Sequence, residues 1–272
     1  MSLVVNYNSA AFNAHRNLQS TSKQLQGSIQ RLSSGMRVNS AADDPSGLVI
    51  SESMRAQGDG LGQAVRNAND GINLVKTGEG ALNEVHNLLR QMRTLALHAA
   101  NSGANSTEAV DADQAALDKA VEAIDRISDT TKFNGKALLD GSFTGQTFQI
   151  GSNSTDTVTL DIAGTDTSTL GVDALDLTGD AAGAIDAIDA AISTISDTRS
   201  ELGSFQRNTL ETTVNSLTIA QENTRASEST IRDADIASEM VDFTRNNIML
   251  QAGTSMLAQA NQAPQQVLQL IR

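Results

Sequence analysis

Residues 31–57 read RLSSGMRVNSAADDPSGLVISESMRAQ, and the fold turns on how this stretch interrupts two amphipathic segments. The pattern breaks on Gly35, Asn39-Ser40, Asp43-Asp44, Pro45 and Gly47. Gly and Pro are the strongest local punctuators, and Pro45 also biases Asp44 away from helical angles. Pro45 suits the first turn of a following helix, with the Asp44 carboxylate offered to the orphan N–H groups there. Spacing alone therefore predicts a helix–loop–helix joint with ordinary caps.

Working outward, the segment before the joint carries Leu18, Leu25, Ile29, Leu32 and Met36 in steps of seven, four, three and four, a heptad-type seam. Beyond the joint, Leu61, Ala68, Val75, Leu82, Leu89 and Ala96 recur at strict seven-residue intervals, with Val85, Met92 and Ala99 beside them. This predicts a helical rod about 60 Å long, ended by Asn101-Ser102-Gly103. A shorter helix is expected from about Ser106 to Asp129, on Val110, Leu117 and Ile124.

Residues 133–178 change character. Phe133-Asn134-Gly135 reads as a turn, and residues 147–150 and 157–162 alternate as strands do. Helical pattern resumes near Ala181 and runs through Ile185, Ile188, Ile192, Ile195, Leu202, Leu210, Val214 and Leu217 to Ile231. In the last segment Ile236, Phe243, Leu250 and Leu257 sit one heptad apart, flanked by Met240, Val241 and Ile248. Pro264 predicts a late kink before an apolar tail containing Leu268 and Leu270. The expected fold is mainly α: an antiparallel helical rod with a small β-hairpin patch mid-chain at its far tip, and paired terminal helices. One such pair cannot cover its own apolar surface, so the ends are predicted to order only when neighbouring copies cover them.

The 272 residues include two prolines, no cysteine and only 3% aromatics, which suits long, closely packed helices and excludes disulfides and thiolate chemistry. Residues 101–204 hold five basic and eighteen acidic groups, whereas the rest of the chain balances to zero. The acidic middle is expected to face water as a thin tip, and with no basic stripe nucleic acid is not an expected partner. No apolar run approaches a membrane span, and no charged n-region precedes an apolar one. Residues 1–42 are basic and serine-containing, as a transit peptide is, but the heptad seam favours a helix.

No catalytic constellation emerges, and no cofactor is expected. His15, His86 and His98 lack a carboxylate or hydroxyl at suggestive spacing. The run Gly58-Asp59-Gly60-Leu61-Gly62 follows a helical pattern and has no lysine for phosphate. Asp111 and Asp113 lack the rest of a calcium loop. Asp233 and Asp235 read as charges favoured at a helix N-terminus.

Residues 33–57, SSGMRVNSAADDPSGLVISESMRAQ, resemble the N-terminal signature of bacterial flagellins, and residues 233–272 resemble the C-terminal one. Residues 69–102 and 131–141 are similar to further flagellin segments in the right order. The resemblance implies terminal helices 1–34 and 236–272 forming an inner coiled-coil core, a spoke 35–46, and an outer domain 47–235 that includes the β region 133–178. In a short form of this kind the large variable outer domains are missing. It also implies export in an unfolded state to an extracellular filament. The partners implied are other copies, a filament cap protein, hook-junction proteins and an export chaperone.

On this resemblance the self-association residues are Leu18, Leu25, Ile29, Leu32, Ile236, Phe243, Leu250, Leu257, Leu268 and Leu270. The spoke residues are Gly35, Arg37, Asn39, Asp43, Asp44 and Pro45. Where receptor-activating flagellins carry an arginine and a glutamate, this chain has Gln91 and Ala116, while Leu95 matches, so weak innate immune receptor activation is expected. The alternatives are a hook–filament junction protein and a secreted coiled-coil adhesin or translocator.

Overall fold

The structure is a computed structural model that describes residues 8–270, with side chains as far as residue 262. Seven helices are described: α1 (Ser9–Ser34), α2 (Pro45–Ala99), α3 (Thr107–Thr130), α4 (Thr167–Leu170), α5 (Ala181–Ser204), α6 (Thr212–Arg232) and α7 (Ile236–Leu270). Between α3 and α4 lie β1 (Lys132–Phe133), β2 (Lys136–Ala137), β3 (Gln146–Gln149) and β4 (Thr157–Leu160), and a π-helical segment, Phe205–Glu211, joins α5 to α6. The chain divides into two units, Met1–Ala56 with Asn223–Arg272, and Gln57–Glu222.

The joint behaves as its residues dictate. Gly35 ends α1 at φ 72°, a left-handed angle that favours glycine, and its N–H reaches the Arg31 carbonyl. Asp44 accepts from the N–H groups of Ser46 and Gly47, at 3.1 and 2.9 Å, with Pro45 as the first residue of α2. Ser106 likewise caps α3 through the Ala109 N–H.

In the central unit the whole seven-residue series of α2 is buried: Leu61, Ala68, Val75, Leu82, Leu89 and Ala96, with Val85, Met92 and Ala99. From Val75 onward it packs with Leu117 and Ile124 of α3 and with Ile188, Ile195 and Leu202 of α5. The part of α2 in this unit, 43 residues, spans roughly 65 Å.

The middle segment departs from expectation. Asn134 and Gly135, both at positive φ, turn β1 into β2, and β3 pairs antiparallel with β4, Gln146 opposite Leu160. These hairpins are not a solvent-facing tip. Leu138, Leu139, Phe143, Leu160, Ile162, Leu170, Val172 and Leu177 are buried in the same core as α2, α3 and α5. Backbone bonds tie the segment down, Ile162 N–H to Phe143 O and Thr165 N–H to Leu139 O, while Asp125 accepts from Thr167. The acidic excess misled because its aspartates cap turns: Asp140, Asp166 and Asp176 all accept from nearby hydroxyl and N–H groups, leaving the interleaved apolar residues free to point inward. Those hydroxyl bonds hold all three carboxyls below the usual aspartate range.

The terminal unit is a different material. Among the described residues Val38 is its only buried apolar side chain; the others buried there include Ser28, Ser51, Arg232 and Asn246.

Candidate assembly interface

Helices α1 and α7 pair antiparallel. The Asn8 amide donates to the Ala260 carbonyl at 2.7 Å, Leu18 lies against Gly253, and Arg31 forks onto both Glu239 oxygens at 2.9 Å. A Cβ at Gly253 would lie 3.0 Å from Leu18 Cδ1, so the close approach uses the missing side chain.

The sequence-derived self-association set therefore splits. Leu18, Leu25, Leu32, Phe243, Leu250 and Leu257 are half-buried on the stripe that faces the partner helix of the same chain. Ile29 and Ile236 are exposed. The side chains of Leu268 and Leu270, and the expected kink at Pro264, lie outside the described residues. A second stripe, only partly singled out from sequence, is the outward face of α7: Met240, Val241, Ile248, Met249 and Met256 are exposed, and the first four line a shallow apolar depression with Thr244 and Arg245. Of twelve exposed large apolar side chains among the described residues, ten belong to the terminal unit.

The spoke residues form a small lattice with the end of α6. Met36 and Asp233 pair as an antiparallel bridge, Ala234 N–H donates to Gly35 O, and Arg37 N–H to Arg232 O at 2.7 Å. The Arg37 guanidinium also reaches the Ile231 carbonyl. Asp43 accepts from the Ser40 hydroxyl and from the N–H groups of Ser40 and Asn39, and the hydroxyl bond, then the N–H bonds, hold its carboxyl below the usual range. Sequence reasoning missed the partners of this lattice: buried Arg232, which donates to Glu52 and to the Met36 sulfur, and the Arg31–Glu239 fork. Their separations in sequence, 180 to 208 residues, carry no local signal.

Hydrogen bonds from Arg31 hold the Glu239 carboxyl below the usual glutamate range. A depressed folded pKa gives stability present above the unfolded value of ~4.3 and lost as pH falls through the folded one. The protection of α1 and α7 against hydrogen exchange, taken relative to intrinsic exchange at each pH, is therefore expected to fall below that value, with Glu239→Gln flattening the dependence. An unchanged profile in the variant would remove this pair as the cause.

The central unit places Gln91 and Ala116 exposed on α2 and α3, and Leu95 half-buried against the core. One expectation needs correction: His98 does have a carboxylate partner, its Nδ1 lying 2.6 Å from Asp113 Oδ2 across the α2–α3 corner. The pair is on the surface, with no nucleophile joined to it. Among the described residues no group of three metal-binding side chains converges, and no helix is long and apolar enough to cross a membrane.

Paired end helices with little core of their own, bearing an uncovered apolar stripe, define a self-associating structural subunit. A model of the bacterial flagellin N-terminal helical region matches residues 5–144, and one of the C-terminal helical region matches residues 185–271. A flagellin of Halalkalibacterium halodurans is 48% identical over 99% of this chain and all of its own length. A flagellin of Bacillus subtilis is 41% identical over 98% of this chain and 99% of its own. A flagellar filament 33 kDa core protein of Treponema phagedenis is 40% identical over 99% of this chain and all of its own. The crystal structure of a Bacillus cereus flagellin aligns with a TM-score of 0.51 at 32% identity, covering 56% of this chain and 88% of that one. The chain belongs to the bacterial flagellin family. It is a structural subunit of the extracellular flagellar filament, made for motility by self-association with other copies, and not an enzyme.

Proposed function

We propose that the chain polymerises through the outward faces of α1 and α7, and that these helices complete their ordering as neighbouring copies cover them. The observation that carries this reading is the contrast between the two units: the central one has a continuous apolar core, whereas the terminal one buries Val38 and displays ten large apolar side chains. Each such side chain contributes ~1.5–3 kcal/mol once fully covered. In this reading residues 1–34 and 236–272 form the inner filament core, 35–46 the spoke, and 47–235 the outer part.

Cap and hook-junction proteins would meet the same terminal surface at the filament's ends, and an export chaperone would cover the apolar face of α7 before assembly. The Gln91 and Ala116 surface, lacking the arginine and glutamate of receptor-activating members, is expected to give a weak response in an innate-receptor reporter assay. A response equal to that of a strong activator would overturn that expectation.

The test of the main reading is electron microscopy of full-length protein added to sheared filament seeds. Long tubes that incorporate the chain are expected. Seeds that are capped without growth would instead favour a junction role.

A further inference from the structure

Helix α5 buries Ala184, Ile188, Ala191, Ile195, Thr198 and Leu202 in alternating steps of four and three. Carried forward at the same period, the inward positions of α6 are Thr212, Ser216 and Ile219. The structure does otherwise. Through the π-helical segment the next fully buried side chain is Leu210, followed by half-buried Val214, Leu217 and Gln221, while Ile219 is left 60% exposed. A π-helical turn accommodates one extra residue and so resets the phase of everything after it.

Two side-chain links belong to the π form. Gln206 donates to Glu211 at 2.8 Å, and the Thr212 hydroxyl to the Arg207 carbonyl at 3.2 Å. Both join residues five apart, which in an α-helix point ~140° away from one another. Gln221 lies over the glycine run of α2, donating to the Gly58 carbonyl at 3.1 Å and sitting where Gly62 has no side chain. Of that run, too weak a motif for a nucleotide, Gly58 and Gly62 thus meet α6, while Gly60 faces Ser152.

We propose that Phe205–Glu211 is a register switch. The π form seats Leu210 and Leu217 and turns Ile219 outward; an α form of the same segment rotates α6 by about 100° with a shift of ~1.5 Å and carries Ile219 inward. Leu210, packed beside Gly71, keeps the π form dominant in the free chain. A neighbour that covers Ile219 favours the π form further, because a ligand shifts such an equilibrium only through its differential affinity for the two states. The inference goes beyond the assembly reading, and because α6 ends at Arg232 the α form also gives up the bonds from Arg232 to Glu52 and to the Met36 sulfur, which favours the π form further.

The test is methyl NMR relaxation dispersion at Ile219 in the full-length protein. The native chain is expected to show exchange on the microsecond-to-millisecond scale. Replacing Gln206→Ala together with Glu211→Ala removes one π-specific link and is expected to raise the inward population about fivefold. Deleting Asn208 takes out the extra residue and leaves an unbroken α-helix that keeps Leu210 and Leu217 inward, so Ile219 is expected in a single exposed environment without exchange. Flat dispersion in both the native chain and the double variant overturns the proposal, as does a folded deletion variant in which Ile219 is buried or still exchanges. Should the deletion variant fail to fold, the double variant alone decides.

Discussion

Val241→Asp combined with Ile248→Asp is expected to abolish seeded filament growth while leaving the free chain's helix content and thermal unfolding unchanged. Both side chains are well over half exposed on the outer face of α7, so the charges meet only water in the free chain, where surface changes stay within about ±0.5 kcal/mol. In an interface the same substitutions remove two apolar contacts of ~1.5–3 kcal/mol each and leave carboxylates to be desolvated. A loss of at least ~3 kcal/mol for the two together raises the concentration needed for growth more than about 100-fold. Growth at the native concentration would place the subunit contacts elsewhere. Substituting Leu25 is a weaker discriminator, because that residue lies on the stripe facing the chain's own α7 and would perturb the free subunit too.

Phe143→Ala is expected to destabilise the central unit by ~3–5 kcal/mol, the range for deleting a buried phenylalanine. For a unit of this size that lowers the melting temperature by about 6–20 °C. Phe143 is 3% exposed and its carbonyl holds the Ile162 N–H at 2.9 Å, so the side chain can be removed without breaking the backbone bond. Calorimetry separates the two pictures of the middle segment. An acidic tip in water would lose about 0.5 kcal/mol or less, and a result of that size would refute burial in the core.

Local pattern carried much of the fold. The seven-residue series from Leu61 to Ala96, the Asp44-Pro45 helix start, the Asn134-Gly135 turn and the ends of α3 are all written in short-range spacing, and the structure has them where spacing puts them. What eluded reading depends on partners. The stripe of Leu18, Leu25 and Leu32 announces a helix that wants another helix, but a heptad does not say whether that helix belongs to the same chain. The aspartates of residues 140–180 look like solvated charge until their turn-capping bonds are seen. The extra residue at Phe205–Glu211 is invisible because Leu202, Leu210, Val214 and Leu217 still read as one helical stripe when a single-residue slip is allowed.

The terminal pairing also orders events in time. The Arg31–Glu239 fork joins residues 208 apart, and the Asn8–Ala260 bond residues 252 apart. A ribosome adding ~5–20 residues per second needs roughly 10–40 s between making Arg31 and making Glu239. The first helix made is therefore the last to find its mate, and throughout synthesis it is a single amphipathic strand of chain open to whatever factor meets it first.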